Sequence, residues 1–101
     1  MNNEQPNQLK VNISTDALKA LYSDIVFLNS NPFGLTLDFG QHLPAAQRVE
    51  IVARISLSPQ HAKVLAGKLS EHLKQYEKQF GEIKVTDKMK EMGEKNIGFK
   101  G

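Results

Sequence analysis

Residues 49–63 read VEIVARISLSPQHAK, an alternating strand that runs directly into a helix. In an extended chain, every second side chain points to the same face, so the apolar set indicates a buried face. The residues expected on that face are Val49, Ile51, Ala53, Ile55 and Leu57. Ser58 can cap the following helix, and Pro59 suits its first turn because the N–H it lacks would have no partner there. The stretch therefore predicts a half-buried sheet with a helix laid on it.

The predicted helix is the longest element and runs from Pro59 to about Phe80. Its apolar residues recur at steps of three and four, which is typical of one buried stripe. The stripe consists of Ala62, Leu65, Ala66, Leu69, Leu73, Tyr76 and Phe80. Gly81 follows, as glycine commonly does where a helix ends.

The alternating strand is predicted to cover Arg48 to Leu57, and three further strands are predicted before it. They cover Leu9 to Ile13 at an edge, about Asp24 to Asn29, and Leu35 to Phe39, with a loop over residues 40–47 before the last strand. A brief helical turn is expected after Ser14. Short connections favour antiparallel neighbours. The predicted fold class is α+β: an antiparallel β-meander of three to four strands with one long C-terminal helix packed on one sheet face.

The length of 101 residues and a hydrophobic content of 40 % indicate one globular domain. We predict a disordered lead over residues 1–8, a single α+β domain over residues 9–83, and a mobile charged tail over residues 84–101. A short turn is expected in the tail at Asp87 to Met92.

Composition argues against several classes of protein. Lys and Arg total 13 against 11 Asp and Glu, and this balance is unlike the clustered basic charge of dedicated nucleic-acid binders. The absence of cysteine excludes disulfides and thiolate metal sites. No apolar run approaches the ~20 residues of a membrane span, and the first residues do not resemble a signal peptide. We therefore expect a cytoplasmic protein that does not enter membranes.

The histidines do not form a metal site in this pattern. His61 and His72 are eleven residues apart, which places them about 16 Å apart along a helix, too far to share a metal ion. His42 lies in a predicted loop. The glycines lack the spacing of a phosphate-binding loop. We expect neither a metal nor a cofactor.

Two carboxylates are the best candidates for catalysis. Asp38 and Glu50 lie on neighbouring predicted strands, and both are expected to point away from the core. Directly opposed carboxylates repel, so we expect a register that places Asp38 near Arg48 or Arg54 as an ion pair. Ser58 is close to His61 but is better explained as a helix cap. The sequence therefore does not predict an enzyme.

Several segments together resemble one family. They are Tyr22-Ser23-Asp24, Leu37-Asp38-Phe39-Gly40, the stretch from Val49 to Lys63, and the stretch from Tyr76 to Ile83. The chain resembles the bacterial and archaeal proteins grouped as the domain of unknown function number 3467, over most of residues 9–83. The resemblance implies a compact domain of this size and brings no activity, cofactor or catalytic residue.

Binding is the function that these features favour. The second predicted strand is apolar on both faces. Gly67 in mid-helix costs about 1 kcal/mol relative to alanine, which indicates either close approach of another backbone or simple tolerance at a surface. The candidate interaction surface comprises Val26, Leu28, Asp38, Glu50, Val52, Arg54, Val64 and Gly67.

We therefore predict a small non-enzymatic protein-binding and oligomerisation module, an adaptor or subunit that forms homo-oligomers. The first alternative is a nucleic-acid-binding protein that uses the lysines of the helix or the sheet. The second is a chaperone-like oligomer that binds unfolded chains, which rests on architectural analogy alone.

Overall fold

The computed structural model describes residues 8–91. Its elements are β1 (Ile25–Asn31), β2 (Gly34–Leu43), β3 (Arg48–Leu57), α1 (Pro59–Phe80) and α2 (Asp87–Glu91), with 3-10 turns at Asp16–Leu18 and Pro44–Ala46. The strands form an antiparallel sheet in the order β1-β2-β3. Helix α1 contacts β2 and β3. The α+β class, the antiparallel meander and the long C-terminal helix are confirmed.

The junction between β3 and α1 has the predicted local structure. Strand β3 ends at Leu57 and α1 begins at Pro59. The Ser58 hydroxyl oxygen accepts the backbone N–H of His61 at 3.1 Å, so it satisfies one of the donors that every helix leaves free at its start. At the other end, Gly81 adopts a φ of 101°, and its N–H donates to the carbonyl of Glu77. Such a backbone conformation favours glycine.

The predicted edge strand at Leu9 to Ile13 is wrong. Residues 8–14 form neither helix nor strand, and Leu9 and Val11 are 90 % and 92 % exposed. Alternation produces a strand only where a neighbouring edge accepts its backbone hydrogen bonds, and residues 8–14 form no β-ladder with β1, β2 or β3. The turn expected after Ser14 is present as the short 3-10 turn.

The predicted loop over residues 40–47 is also too long. Strand β2 continues through Leu43 because Gln41, His42 and Leu43 pair with residues 48–50 of β3. The connection is then the 3-10 turn at Pro44–Ala46, closed by Gln47 at a φ of 53°. In the predicted tail, the turn expected at residues 87–92 is the short helix α2. The predicted lead, apart from residue 8, and the tail beyond residue 91 lie outside the described residues.

A bulge changes which side chains of β3 share a face. Phe39 pairs with Ala53, but Gly40 pairs with Ile51, so Val52 is the extra residue. Paired residues share a face, whereas successive residues of β2 point to opposite faces. The prediction of a single face is therefore wrong: Val49 and Ile51 lie on one face, and Ala53, Ile55 and Leu57 lie on the other.

The register defines two faces of the sheet. The leucine face carries Val26, Leu28, Leu35, Leu37, Phe39, Ala53, Ile55 and Leu57. The aspartate face carries Ile25, Phe27, Thr36, Asp38, Gly40, Val49, Ile51, Arg54 and Ser56. Ile25 and Leu57 are the buried hydrophobic residues within residues 8–91, and they lie on opposite faces. The described part of the chain therefore buries little apolar surface.

Candidate interaction surfaces

The apolar stripe of α1 is the largest feature that the sheet leaves uncovered. Among its larger residues, the exposed fractions are 37 % for Leu65, 55 % for Leu69, 45 % for Leu73, 52 % for Tyr76 and 66 % for Phe80. The stripe of an amphipathic helix ordinarily faces a core. Although α1 contacts β2 and β3, the stripe predicted as core remains accessible over about five turns of helix.

The C-terminal end of the α1 stripe is aromatic and held in place. The Tyr76 and Phe80 rings pack with their centroids 4.8 Å apart at an interplanar angle of 47°. One carboxylate oxygen of Glu77 accepts the backbone N–H of Ile83 at 2.9 Å, which ties the chain after the helix back onto its last turn. The two rings therefore form an ordered apolar surface at this end of the helix.

The leucine face of the sheet is partly open as well. Leu28 is 66 % exposed, Ile55 45 % and Val26 37 %, whereas Leu57 is buried. The exposed residues lie on both outer strands, β1 and β3, and the half-buried Leu37 lies between them on β2. Two apolar surfaces, one on α1 and one on the sheet, are thus available for contacts.

Asp38 and Arg54 form an ion pair on the aspartate face. The Arg54 Nε and Nη2 atoms donate to the two carboxylate oxygens of Asp38 at 2.5 and 3.1 Å. The Asp38 side chain is 3 % exposed and that of Arg54 62 %. The hydrogen bond to Asp38, followed by the charge of that carboxylate, raises the pKa of Arg54 above its usual value. Of the two predicted partners, Arg48 and Arg54, the structure pairs Asp38 with Arg54, but the Asp38 side chain is buried and does not point away from the interior as predicted.

The two carboxylates proposed as catalytic candidates do not meet. Glu50 pairs with Gln41 in the register, which places it on the face opposite Asp38. Its carboxylate forms an exposed ion pair with Arg48 at 3.3 Å. Because Asp38 is held by a bidentate guanidinium and Glu50 is solvated, this part of the sheet offers no pair of carboxylates for acid–base chemistry.

The eight residues predicted as one interaction surface are distributed over several surfaces. Val26, Leu28 and Glu50 share the side of the sheet that carries the leucine face, Asp38 and Arg54 lie on the other, and Val52 is the bulged residue. Val64 and Gly67 lie on α1 outside the stripe, and a Cβ added at Gly67 would meet no atom within 4 Å. The periodicity of α1 predicts only a core stripe, because helical periodicity cannot distinguish an internal core from an exposed surface.

Two features of the described residues bear on metal and ligand binding. Residues 8–91 contain no group of three or more His, Asp or Glu that could hold a metal ion. An open cleft of about 510 Å³ lies beside β1, between Leu21, Ile25 and Met89. The carboxylate of Asp24, also in the cleft, already accepts the backbone N–H of His42 at 2.9 Å. No helix within this range is long and apolar enough to cross a membrane.

Comparison with known proteins identifies a family without an assigned activity. A family model described as "Protein of unknown function (DUF3467)" matches residues 1–85, which confirms the resemblance noted in the sequence. No curated protein and no solved structure matches the chain.

Proposed function

The chain belongs to the DUF3467 family of proteins of unknown function, and we propose that it is a non-enzymatic module that assembles with copies of itself and binds other proteins. The observation that carries this proposal is the exposed apolar stripe of α1. An isolated chain would hold five large apolar side chains of one helix face in water. Exposed apolar surfaces of this kind are typical of protein–protein interfaces.

The total surface supports assembly. The accessible area is 9490 Å², whereas a folded monomer of 11.3 kDa exposes about 5,700 Å². If residues 1–7 and 92–101 are each allowed the full surface of an unfolded chain, at least about 1,700 Å² of excess remains. A stable interface removes about 800 Å² per partner, so this excess, which also includes the exposed segment over residues 9–22, is enough for an interface of ordinary size.

The polar groups of the sheet support binding rather than catalysis. Asp38 is used in an ion pair with Arg54, and the Ser23 hydroxyl donates toward the carbonyls of Ile25 and Gly40 at 3.0 and 2.8 Å. These contacts stabilise the sheet and leave no nucleophile next to a base. For the same protein we propose a cytoplasmic location, which is consistent with a chain that contains no cysteine.

The test is the mass in solution of two matched variants. Leu69→Asp places a charge in the stripe, where the wild-type residue is 55 % exposed. Val64→Asp makes the same kind of change at 53 % exposure on the same helix, five residues away and about 140° around it. We expect light scattering after size exclusion to show an oligomer for the wild-type protein and for Val64→Asp, and a monomer for Leu69→Asp.

A monomeric wild-type protein at micromolar concentration would refute the self-assembly. If Val64→Asp dissociates the oligomer and Leu69→Asp does not, the interface lies on the helix face that carries Val64 and Gly67, and the stripe is not its contact. Circular dichroism of each variant checks that the helix is retained. Bound nucleic acid, visible as absorbance at 260 nm in the purified oligomer, would instead favour the nucleic-acid alternative.

A further inference from the structure

We propose that α1 pairs antiparallel with α1 of a second copy, around a two-fold axis that passes beside His72 and Leu73. The inference rests on the proposed self-assembly and adds the surface that mediates it and the direction in which the two helices run. It follows from the order of side-chain sizes along the stripe, from the straightness of the stripe, and from the direction of the helix dipoles.

Side-chain size along the stripe favours the antiparallel direction. The N-terminal half carries the small residues Ala62 and Ala66, and the C-terminal half carries the large aromatic residues Tyr76 and Phe80. An antiparallel pair centred between residues 72 and 73 places Phe80 of one helix at the height of Leu65 of the other, where the small residues Ala62 and Ala66 on either side leave space for the ring. A parallel pair would instead oppose aromatic to aromatic and alanine to alanine, and would force the axes apart at one end. Uniform contact along two straight helices requires large residues opposite small ones.

The stripe is straight enough for contact along its length. Its residues repeat at intervals of eleven, from Ala62 to Leu73, Leu65 to Tyr76, and Leu69 to Phe80. Eleven residues at about 100° each complete three turns with only about 20° left over. The apolar surface therefore follows the helix axis over residues 62–80, a distance of about 27 Å. Two such helices can remain in contact without strong supercoiling.

The helix dipoles also favour the antiparallel direction. In an antiparallel pair the positive end of each helix lies beside the negative end of the other, whereas a parallel pair places ends of like sign together.

The opposite face of α1 stays outside this pair. Val64 and Gly67 lie about 140° and 160° around the helix from Leu69. The space around Gly67 is open, since a Cβ there would meet no atom within 4 Å. In this arrangement Gly67 is tolerated at a surface, and no other backbone approaches it.

Disulfide cross-linking tests the direction, because the chain contains no cysteine of its own. Leu73→Cys lies next to the axis, so its two copies differ in height by about 1.5 Å and should cross-link under mild oxidation. The two copies of Leu65→Cys differ by about 22 Å and should not cross-link. A refolded mixture of Leu65→Cys and Phe80→Cys should give the mixed disulfide. Val64→Cys is the control outside the stripe.

Self-cross-linking of Leu65→Cys and of Phe80→Cys would show a parallel pair and overturn the proposal. An oligomer in which none of these positions cross-links would show that another surface, such as the leucine face of the second copy, covers the stripe; the proposal would fail while the self-assembly stands. A monomeric mass for the wild-type protein would refute the self-assembly itself.

A second measurement leaves the stripe intact, in case a cysteine there prevents folding. Spin labels on Gln60→Cys, an exposed position at the start of α1, should be separated along the helix axes by about 37 Å in the antiparallel pair. In a parallel pair the labels would lie at the same height. A dominant distance near 20 Å would therefore contradict the proposal.

Discussion

Two glycine-to-alanine substitutions should change stability in opposite directions. A Cβ built on Gly34 would lie 2.3 Å from the carbonyl oxygen of Leu57, more than 1 Å short of an ordinary contact. The obstacle is backbone at the junction of β3 with α1, so it cannot move aside by rotating a side chain. Gly67 is the matched control, because its Cβ would enter open space.

The expected magnitudes follow from these two environments. Overpacking costs about 1–3 kcal/mol, and the backbone obstacle places Gly34→Ala at the upper end. The entropy that alanine removes from the unfolded chain returns about 0.4–1 kcal/mol, which leaves a net loss of about 2–3 kcal/mol. Gly67→Ala should stabilise by about 1 kcal/mol through helix propensity. For a domain of this size, 1 kcal/mol corresponds to about 4–8 °C in Tm.

The assay is urea denaturation followed by far-ultraviolet circular dichroism. All proteins are compared at one concentration, because the stability of an oligomer depends on concentration. A free energy of unfolding for Gly34→Ala within about 0.5 kcal/mol of wild type would refute the close approach of β2 to Leu57. Destabilisation by Gly67→Ala would show that another backbone approaches this glycine, which is the alternative that the sequence left open.

Further substitutions test the caps, the core and the ion pair. Ser58→Ala should lower the free energy of unfolding by about 1 kcal/mol in urea titrations, since the N–H of His61 loses its acceptor. Leu57→Ala should lower the free energy of unfolding by about 2–5 kcal/mol because the residue is buried. Ile55→Ala, at 45 % exposure, should lower it by less than half as much. Equal effects would mean that the leucine face is covered in solution. Arg54→Ala should destabilise more than Asp38→Ala, since it leaves a buried carboxylate without its partner, whereas the opposite change releases an exposed guanidinium to water. Because the pKa of Arg54 is raised in the folded protein, the free energy that Arg54 contributes to stability is complete below its pKa in the unfolded chain and is lost only as pH rises through its higher pKa in the folded state. The difference in free energy of unfolding between wild type and Arg54→Ala should therefore not fall between about pH 7 and pH 9.

The sequence predicted the elements that carry strong local signals. Strand β3 and helix α1 have the predicted bounds because an alternating strand, a serine cap, a proline and a final glycine all agree on them. The pairing of Asp38 with Arg54 also followed from the rule that like charges avoid direct opposition. Local chemistry was sufficient for these features.

Other features depend on contacts between strands, which the pattern of a single strand does not specify. The bulge places Val49 and Ile51 on the face opposite Ala53, Ile55 and Leu57. Gly40, an isolated glycine at the end of the apolar alternation over residues 35–39, is the sequence feature that indicates the bulge. A Cβ at Gly40 would lie 2.8 Å from Val49 Cγ1, so glycine is what permits this close approach. The alternation at Leu9 to Ile13 is typical of a strand, but these residues form no β-ladder with the sheet.

The sequence pattern of the α1 stripe likewise does not determine what the stripe contacts. Its periodicity predicts an amphipathic helix, but the period is identical whether the apolar side faces an internal sheet or a second copy. The exposed fractions of Leu69 and Phe80 show that the sheet does not cover the stripe, and this exposure depends on how much of the sheet one helix can cover.

Sedimentation equilibrium of the unmodified chain, over concentrations from about 1 to 100 μM, decides whether the protein assembles with copies of itself. We expect a mass of at least twice the 11.3 kDa of one chain, with dissociation at most at the lowest concentrations. A single species of 11.3 kDa over the whole range would show that the stripe stays uncovered, and would contradict the assignment of this protein as a self-assembling module.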